Sequence, residues 1–143
     1  MADIPFTNPT PSFSSSNPPG TGTGLNYIGE HVYSTSGQLA SNTSAVTHFD
    51  FTTGTGYILG RVTCFGATKL ADPAVGRTSL FQISFNGEVV ATLKLDTAEE
   101  DMPTVVYTKL LLPPFTRVQV TCTSDSSTAD RLTSALITGR VYA

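Results

Sequence analysis

The sequence predicts an all-β chain: an eight-stranded antiparallel β-sandwich of the jelly-roll kind, preceded by an extended N-terminal arm. Three observations carry that prediction. Between Thr78 and Leu95, two runs of strand chemistry flank Asn86-Gly87, the pair that best tolerates the positive φ a type I′ hairpin turn demands at both central positions. From Phe115 to Ser124 the residues alternate, with Val118, Val120 and Cys122 against Arg117, Gln119 and Thr121, the period of two that a half-buried strand requires. About eight such segments recur, with turn signals every ten or so residues and no amphipathic helix. That spacing belongs to a sandwich or barrel.

Residues 1–24 form the arm. They hold five prolines, the run Ser14 to Ser16, and glycines alternating with threonines from Gly20 to Gly24. Such a composition buries too little apolar surface to offset its ordering entropy, and proline biases it toward an extended form. Ile4, Phe6 and Phe13 are spaced apolar anchors on this arm; the segment reads either as a disordered tail or as an arm that docks through them on a partner or a neighbouring subunit.

Residues 25–143 form the β domain. A first strand is expected from Tyr27 to Tyr33, then a loop from Ser34 to Ser44. Within the loop, Asn42-Thr43-Ser44 is a glycosylation acceptor that stays silent without secretion. Ala45 to Thr52 places Thr47, Phe49 and Phe51 opposite Val46, His48 and Asp50, with His48 facing solvent. Tyr57 to Ala67 is longer, and Gly60 there signals a bulge or a close backbone approach. Thr68 to Arg77 is a connection. In the hairpin, Phe81, Ile83 and Phe85 share one face of the first arm, and Val89, Ala91, Leu93 and Leu95 share one face of the second. Asp96 to Pro103 reads as an acidic loop and Thr104 to Leu112 as a strand, ended by Pro113-Pro114. After the alternating strand, Asp125 to Ser134 is a loop with room for one helical turn, and Ala135 to Val141 is the last strand.

A chain of 143 residues fits one domain, burying roughly two-thirds of its unfolded surface. Only 13% of residues are charged, against about a quarter in ordinary soluble domains, so hydroxyls and amides must make the surface polar. That balance suits a protein that assembles. The net charge of −3, with eight Lys and Arg of which no two are adjacent, argues against a nucleic-acid partner, because neutralising phosphates needs a basic stripe. No apolar run approaches a bilayer-spanning length and no basic amphipathic helix is present, so no membrane partner is expected. The first residues lack the basic start and apolar core of a signal peptide. Synthesis in a cytoplasm is therefore expected.

Cys64 and Cys122 both fall on the apolar face of their strands. Two buried free thiols are expected, with a bridge between sheets as the alternative. Two Cys and two distant His offer too few ligands for a metal. His48 and Asp50 share a strand face, yet no Gly-x-Ser-x-Gly elbow supplies a nucleophile. The segment Thr47 to Phe51 carries one His, where a metal-binding cupin roll would carry two separated by one residue. Asp96, Glu99, Glu100 and Asp101 crowd as calcium ligands do, without the EF-hand spacing. Solvated acids in an exposed loop explain them. The Gly20 to Gly24 run precedes neither a Lys nor a helix, so it is no phosphate cradle. No catalytic, metal or cofactor residue is assigned, and a non-enzymatic role is expected. Tyr107 and Tyr142 lie on mixed faces, where core or interface filling outweighs a sugar-stacking role.

From Gly29 to Ala143 the chain resembles the small single-jelly-roll proteins of viruses, in particular the trimeric decoration or cement proteins on capsids of tailed phages. The resemblance is carried by the Asn-Gly-Glu hairpin, the stretch LLLPPFTRVQVTC, the closing ITGRVYA and the Pro/Ser/Gly arm. It implies a homotrimer on the virion surface whose partner is the major capsid protein, made in the host cytoplasm. Ile4, Phe6 and Phe13 would then anchor to the shell, and Tyr107 and Lys109 would face a sister subunit. The reading from another class is a carbohydrate- or receptor-binding module of a viral fibre.

Overall fold

The computed structural model describes residues 23–69, 77–97, 105–125 and 131–142. Among them ten strands follow in order: β1 (Asn26–Ile28), β2 (His31–Thr35), β3 (Leu39–Ser41), β4 (Val46–Thr52), β5 (Tyr57–Lys69), β6 (Arg77–Phe85), β7 (Glu88–Thr97), β8 (Val105–Leu112), β9 (Arg117–Ser124) and β10 (Arg131–Tyr142). All pairings are antiparallel. One sheet runs β1-β2-β10-β5-β8 with β3 paired to β10, and the other runs β4-β9-β6-β7. Set aside the two three-residue strands, β1 and β3, and two four-stranded sheets remain, joined by crossovers from sheet to sheet. This is the jelly roll the alternation predicted.

The organising hairpin forms as read. Asn86 and Gly87 have φ of 50° and 89°, and Phe85 pairs with Glu88 across them. Asn86 is also held from outside: its N–H donates to the Arg117 carbonyl at 2.8 Å, and its Oδ1 accepts the Arg117 N–H at 2.9 Å. The second arm departs from expectation near the turn. A bulge makes Val90 an extra residue between the Ile83–Ala91 and Ser84–Val89 pairs, so Val89 is exposed while Leu95 is buried.

Three further readings are corrected. The expected first strand is a hairpin, β1 and β2, turned at Gly29 with φ of 60°. The expected loop from Ser34 to Ser44 contains β3, which pairs with β10 rather than with a sequence neighbour. The last strand begins at Arg131, not Ala135, so a helical turn has no room beyond 126–130, which lie outside the described residues. The acids at 99, 100 and 101 also lie outside them, as do Ile4, Phe6 and Phe13.

The core sits between the sheets. Phe81, Ile83, Val118, Val120 and Cys122 of the four-stranded sheet face Ile58, Val62, Cys64, Ala135 and Ile137 of the other, all buried. Burying such side chains is the dominant favourable term in folding, at about 1.5–3 kcal/mol for each large one. At one end, Thr53 clamps two turns together. Its Oγ1 donates to the Pro113 carbonyl at 2.6 Å and accepts the Thr116 N–H at 2.8 Å.

Candidate functional site

His48 is the first residue to place. It was expected on a solvent-facing strand surface with Asp50, and the structure overturns this. β4 pairs Thr47 with Thr121 and Phe49 with Val120, leaving His48 as a bulged extra residue. The bulge turns His48 inward beside Phe49, and both are buried. A one-residue insertion reverses the faces of everything before it, so Val46 joins Phe49 and Phe51 on the inner side. Asp50 remains outside, where Arg117 binds it through two nitrogens at 2.8 and 2.9 Å. The two residues are therefore not brought together.

Inside, the His48 ring stacks on Phe81 with centroids 5.4 Å apart. Its Nε2 lies 3.0 Å from Thr133 Oγ1 on the opposite sheet, and its Nδ1 has no partner. Burial lowers its pKa to about 4, so the ring is neutral at ordinary pH and bridges the two layers by one hydrogen bond. Cys64 and Cys122 are buried and free, and burial pushes their thiols up to about 12 and about 11. Thiols so held are poor nucleophiles. Among the described residues no group of three His, Cys, Asp or Glu gathers as metal ligands.

The outward surface of the six-stranded sheet is different in kind. Alternation points Tyr57, Leu59, Arg61 and Phe65 of β5 away from the core, with Val105, Tyr107, Lys109 and Leu111 of β8 beside them. Register sets Leu59 opposite Leu111, Arg61 opposite Lys109, and Phe65 opposite Val105. Leu59, Tyr107 and Leu111 are 49%, 53% and 50% exposed. An antiparallel sheet with one wet face ordinarily carries polar residues there, and a contiguous apolar patch marks an interaction surface.

Two features interrupt the patch. The Arg61 guanidinium carbon lies 3.7 Å from the centroid of the Tyr107 ring, a cation–π contact that holds the charge in place. Between Leu59, Arg61, Lys109, Leu111 and Thr138 lies an open depression of about 550 Å³. Gly60 and Gly139 pair beneath it. A Cβ on Gly139 would stand 2.7 Å from the Leu59 carbonyl oxygen and 2.9 Å from the Gly60 Cα. Gly60 thus marks a close approach rather than a bulge, since the register runs unbroken through it.

Tyr107 and Lys109, singled out from the sequence, both project from this face of β8, which is an edge strand. Tyr142 is half-buried and stacks on Tyr57 at 5.3 Å between centroids. Sequence reasoning missed Leu59, Arg61 and Leu111. The signal was present: β5 (YILGRVTCFGATK) and β8 (VVYTKLLL) have no wholly polar face, as strands covered on both sides do not.

No family model matches the chain, and no curated protein matches it in sequence. Among solved structures, viral capsid β-sandwich proteins recur. The T13 viral particle of IBDV overlays with a TM-score of 0.43 at 12% identity, over 78% of this chain and 36% of that one. The VP2 subviral particle of infectious bursal disease virus gives 0.38 at 13%, over 76% and 30%. The Agl-KA catalytic domain gives 0.41 at 18%, over 79% and 21%. The chain spans about a third or less of the length of these three neighbours, and overlaps of this quality carry no argument about what it does.

Proposed function

We propose that this chain is a non-enzymatic virion structural protein that decorates or cements a capsid as a homotrimer. In this reading the major capsid protein is its partner, and Ile4, Phe6 and Phe13 on the leading segment grip the shell. The observation that carries the reading is the unpartnered apolar face of β5 and β8, with Leu59, Tyr107 and Leu111 about half exposed. A roll that already has a complete core gains nothing for its own folding by keeping these side chains in water. Burying them between subunits recovers about 25 cal/mol for each Å² removed from solvent.

The test is to mix purified protein with undecorated shells and follow cosedimentation, with light scattering to count subunits. Deleting residues 1–24 is expected to abolish shell binding and leave a folded trimer. A deletion that binds shells as the parent does overturns the arm's role. The alternative is a carbohydrate- or receptor-binding module, favoured by the stacked Tyr57 and Tyr142 and by Tyr107 beside the depression. Glycan-array signal that survives deletion of the arm and disappears in Tyr107→Ala supports that alternative.

A further inference from the structure

The cations of this acidic protein are unevenly placed. β5, β8 and β10 carry five of its eight Lys and Arg, at 61, 69, 109, 131 and 140, and none of its 11 Asp and Glu. Of those on the outward face, Arg140 is answered by Glu30 at 2.9 Å. Among the described residues no carboxylate pairs with Arg61 or Lys109. The depression between Leu59 and Leu111 is therefore walled by apolar side chains and by two positive charges, Arg61 over the Tyr107 ring and Lys109, that no carboxylate among the described residues answers. Its complement is a small apolar projection carrying one negative charge. A second copy in face-to-face contact does not supply that, because Arg61 and Lys109 would meet their own kind.

One end of the same molecule does supply it. Past the Asn86-Gly87 turn, Glu88, Val89 and Val90 are all exposed, because the bulge at Val90 lifts the start of β7 out of register with the core. Glu88 pairs with no cation among the described residues. On the adjacent turn, tied to the hairpin through Asn86 and Arg117, Phe115 is 70% exposed with φ of 52°. This tip joins a carboxylate to three apolar side chains.

We infer that the β6–β7 tip of one copy seats in the β5–β8 depression of the next, with Glu88 between Arg61 and Lys109 and with Val89 and Val90 against Leu59 and Leu111. Donor and acceptor are different patches, so the contact is heterologous, and a heterologous contact closes into a ring when its rotation permits. This deepens the oligomeric part of the proposed function and rests on it. It adds which surfaces meet and why the sheet face is cationic.

The test scores self-association of the full chain without any shell, by sedimentation velocity from micromolar to submillimolar concentration. Glu88→Arg, and separately Arg61→Glu with Lys109→Glu, are expected to weaken association by about thirtyfold or more, as loss of one partner of a desolvated charge pair does. The triple variant combining all three changes restores opposite signs and is expected to recover association. Far-UV circular dichroism of each variant confirms the fold; Glu88→Gln and Lys109→Gln serve as milder versions should a reversal disturb it. Oligomers that form equally well in Glu88→Arg overturn this contact and leave the homo-oligomer reading standing. A parent chain that stays monomeric throughout overturns both, while shell binding is scored separately.

Discussion

On the outer face of the four-stranded sheet, Gln119 and Thr121 of β9 stand beside Gln82 and Ser84 of β6, with Arg117 bound to Asp50 nearby. At the corresponding place on the six-stranded sheet are Leu59, Phe65, Tyr107 and Leu111. Both sheets share one core and one chain, so folding stability does not account for the difference. Away from the exposed Val89 and Val90 at the hairpin tip, hydroxyls and amides finish the first surface for water. The other is left apolar, and no described residue covers it.

The largest effect is expected from exchanging the chemistry of these faces. Leu59→Thr with Leu111→Thr should abolish self-association by light scattering, while urea melts at concentrations where the parent is itself monomeric stay within about 0.5 kcal/mol of the parent. The converse exchange, Gln82→Leu with Thr121→Val, alters a cross-strand pair on the polar sheet. It should create a second sticky surface, seen as aggregation above the parent's assembly size. Equal behaviour of the two exchanges would erase the distinction.

Acid separates the interior from either face. His48 has its pKa lowered by burial from 6.5 to about 4, so the unfolded chain takes up that proton first as pH falls. Stability is intact above about pH 6.5 and declines down to about pH 4, by about 3 kcal/mol in all. Urea melts across that window measure the slope, and His48→Gln should flatten it. The Asp50 carboxyl, held below its ordinary 3.8 mainly by the hydrogen bond from Arg117, stabilises above that value and is lost only as pH falls further. The two windows are therefore distinct.

A smaller loss tests the floor of the apolar face. Gly139→Ala places a methyl against the Leu59 carbonyl, and the strand must shift at a cost of about 2 kcal/mol in thermal or chemical unfolding. Gly60→Ala meets its nearest atom at 3.6 Å and should cost clearly less. Smallest of all, Asp50→Asn on the polar sheet should leave the melting temperature close to the parent's, because an exposed ion pair is screened.

Much of the fold was legible because local chemistry sufficed. Asn86-Gly87 fixes its own turn, and the alternation of β9 fixes its own faces, so both appear as read. The residues that misled depend on distant partners. β3 has three residues and exists because β10 pairs with it. His48 points inward because β4 takes a bulge against β9, and a strict period of two cannot reveal an inserted residue. The apolar face was half legible. Tyr107 and Lys109 stood out on β8, but Leu59 on β5 reads like a core residue until the register shows which side it takes.

β10 occupies the middle of the six-stranded sheet, between β2 and β5, although it follows every other strand along the chain. A ribosome therefore delivers this central stave only after its neighbours on both sides have emerged and waited. Contacts this remote in sequence make folding slow. A copy cut short before residue 131 has two unpaired strand edges where one sheet should be. It is neither a smaller roll nor a fair imitation of one.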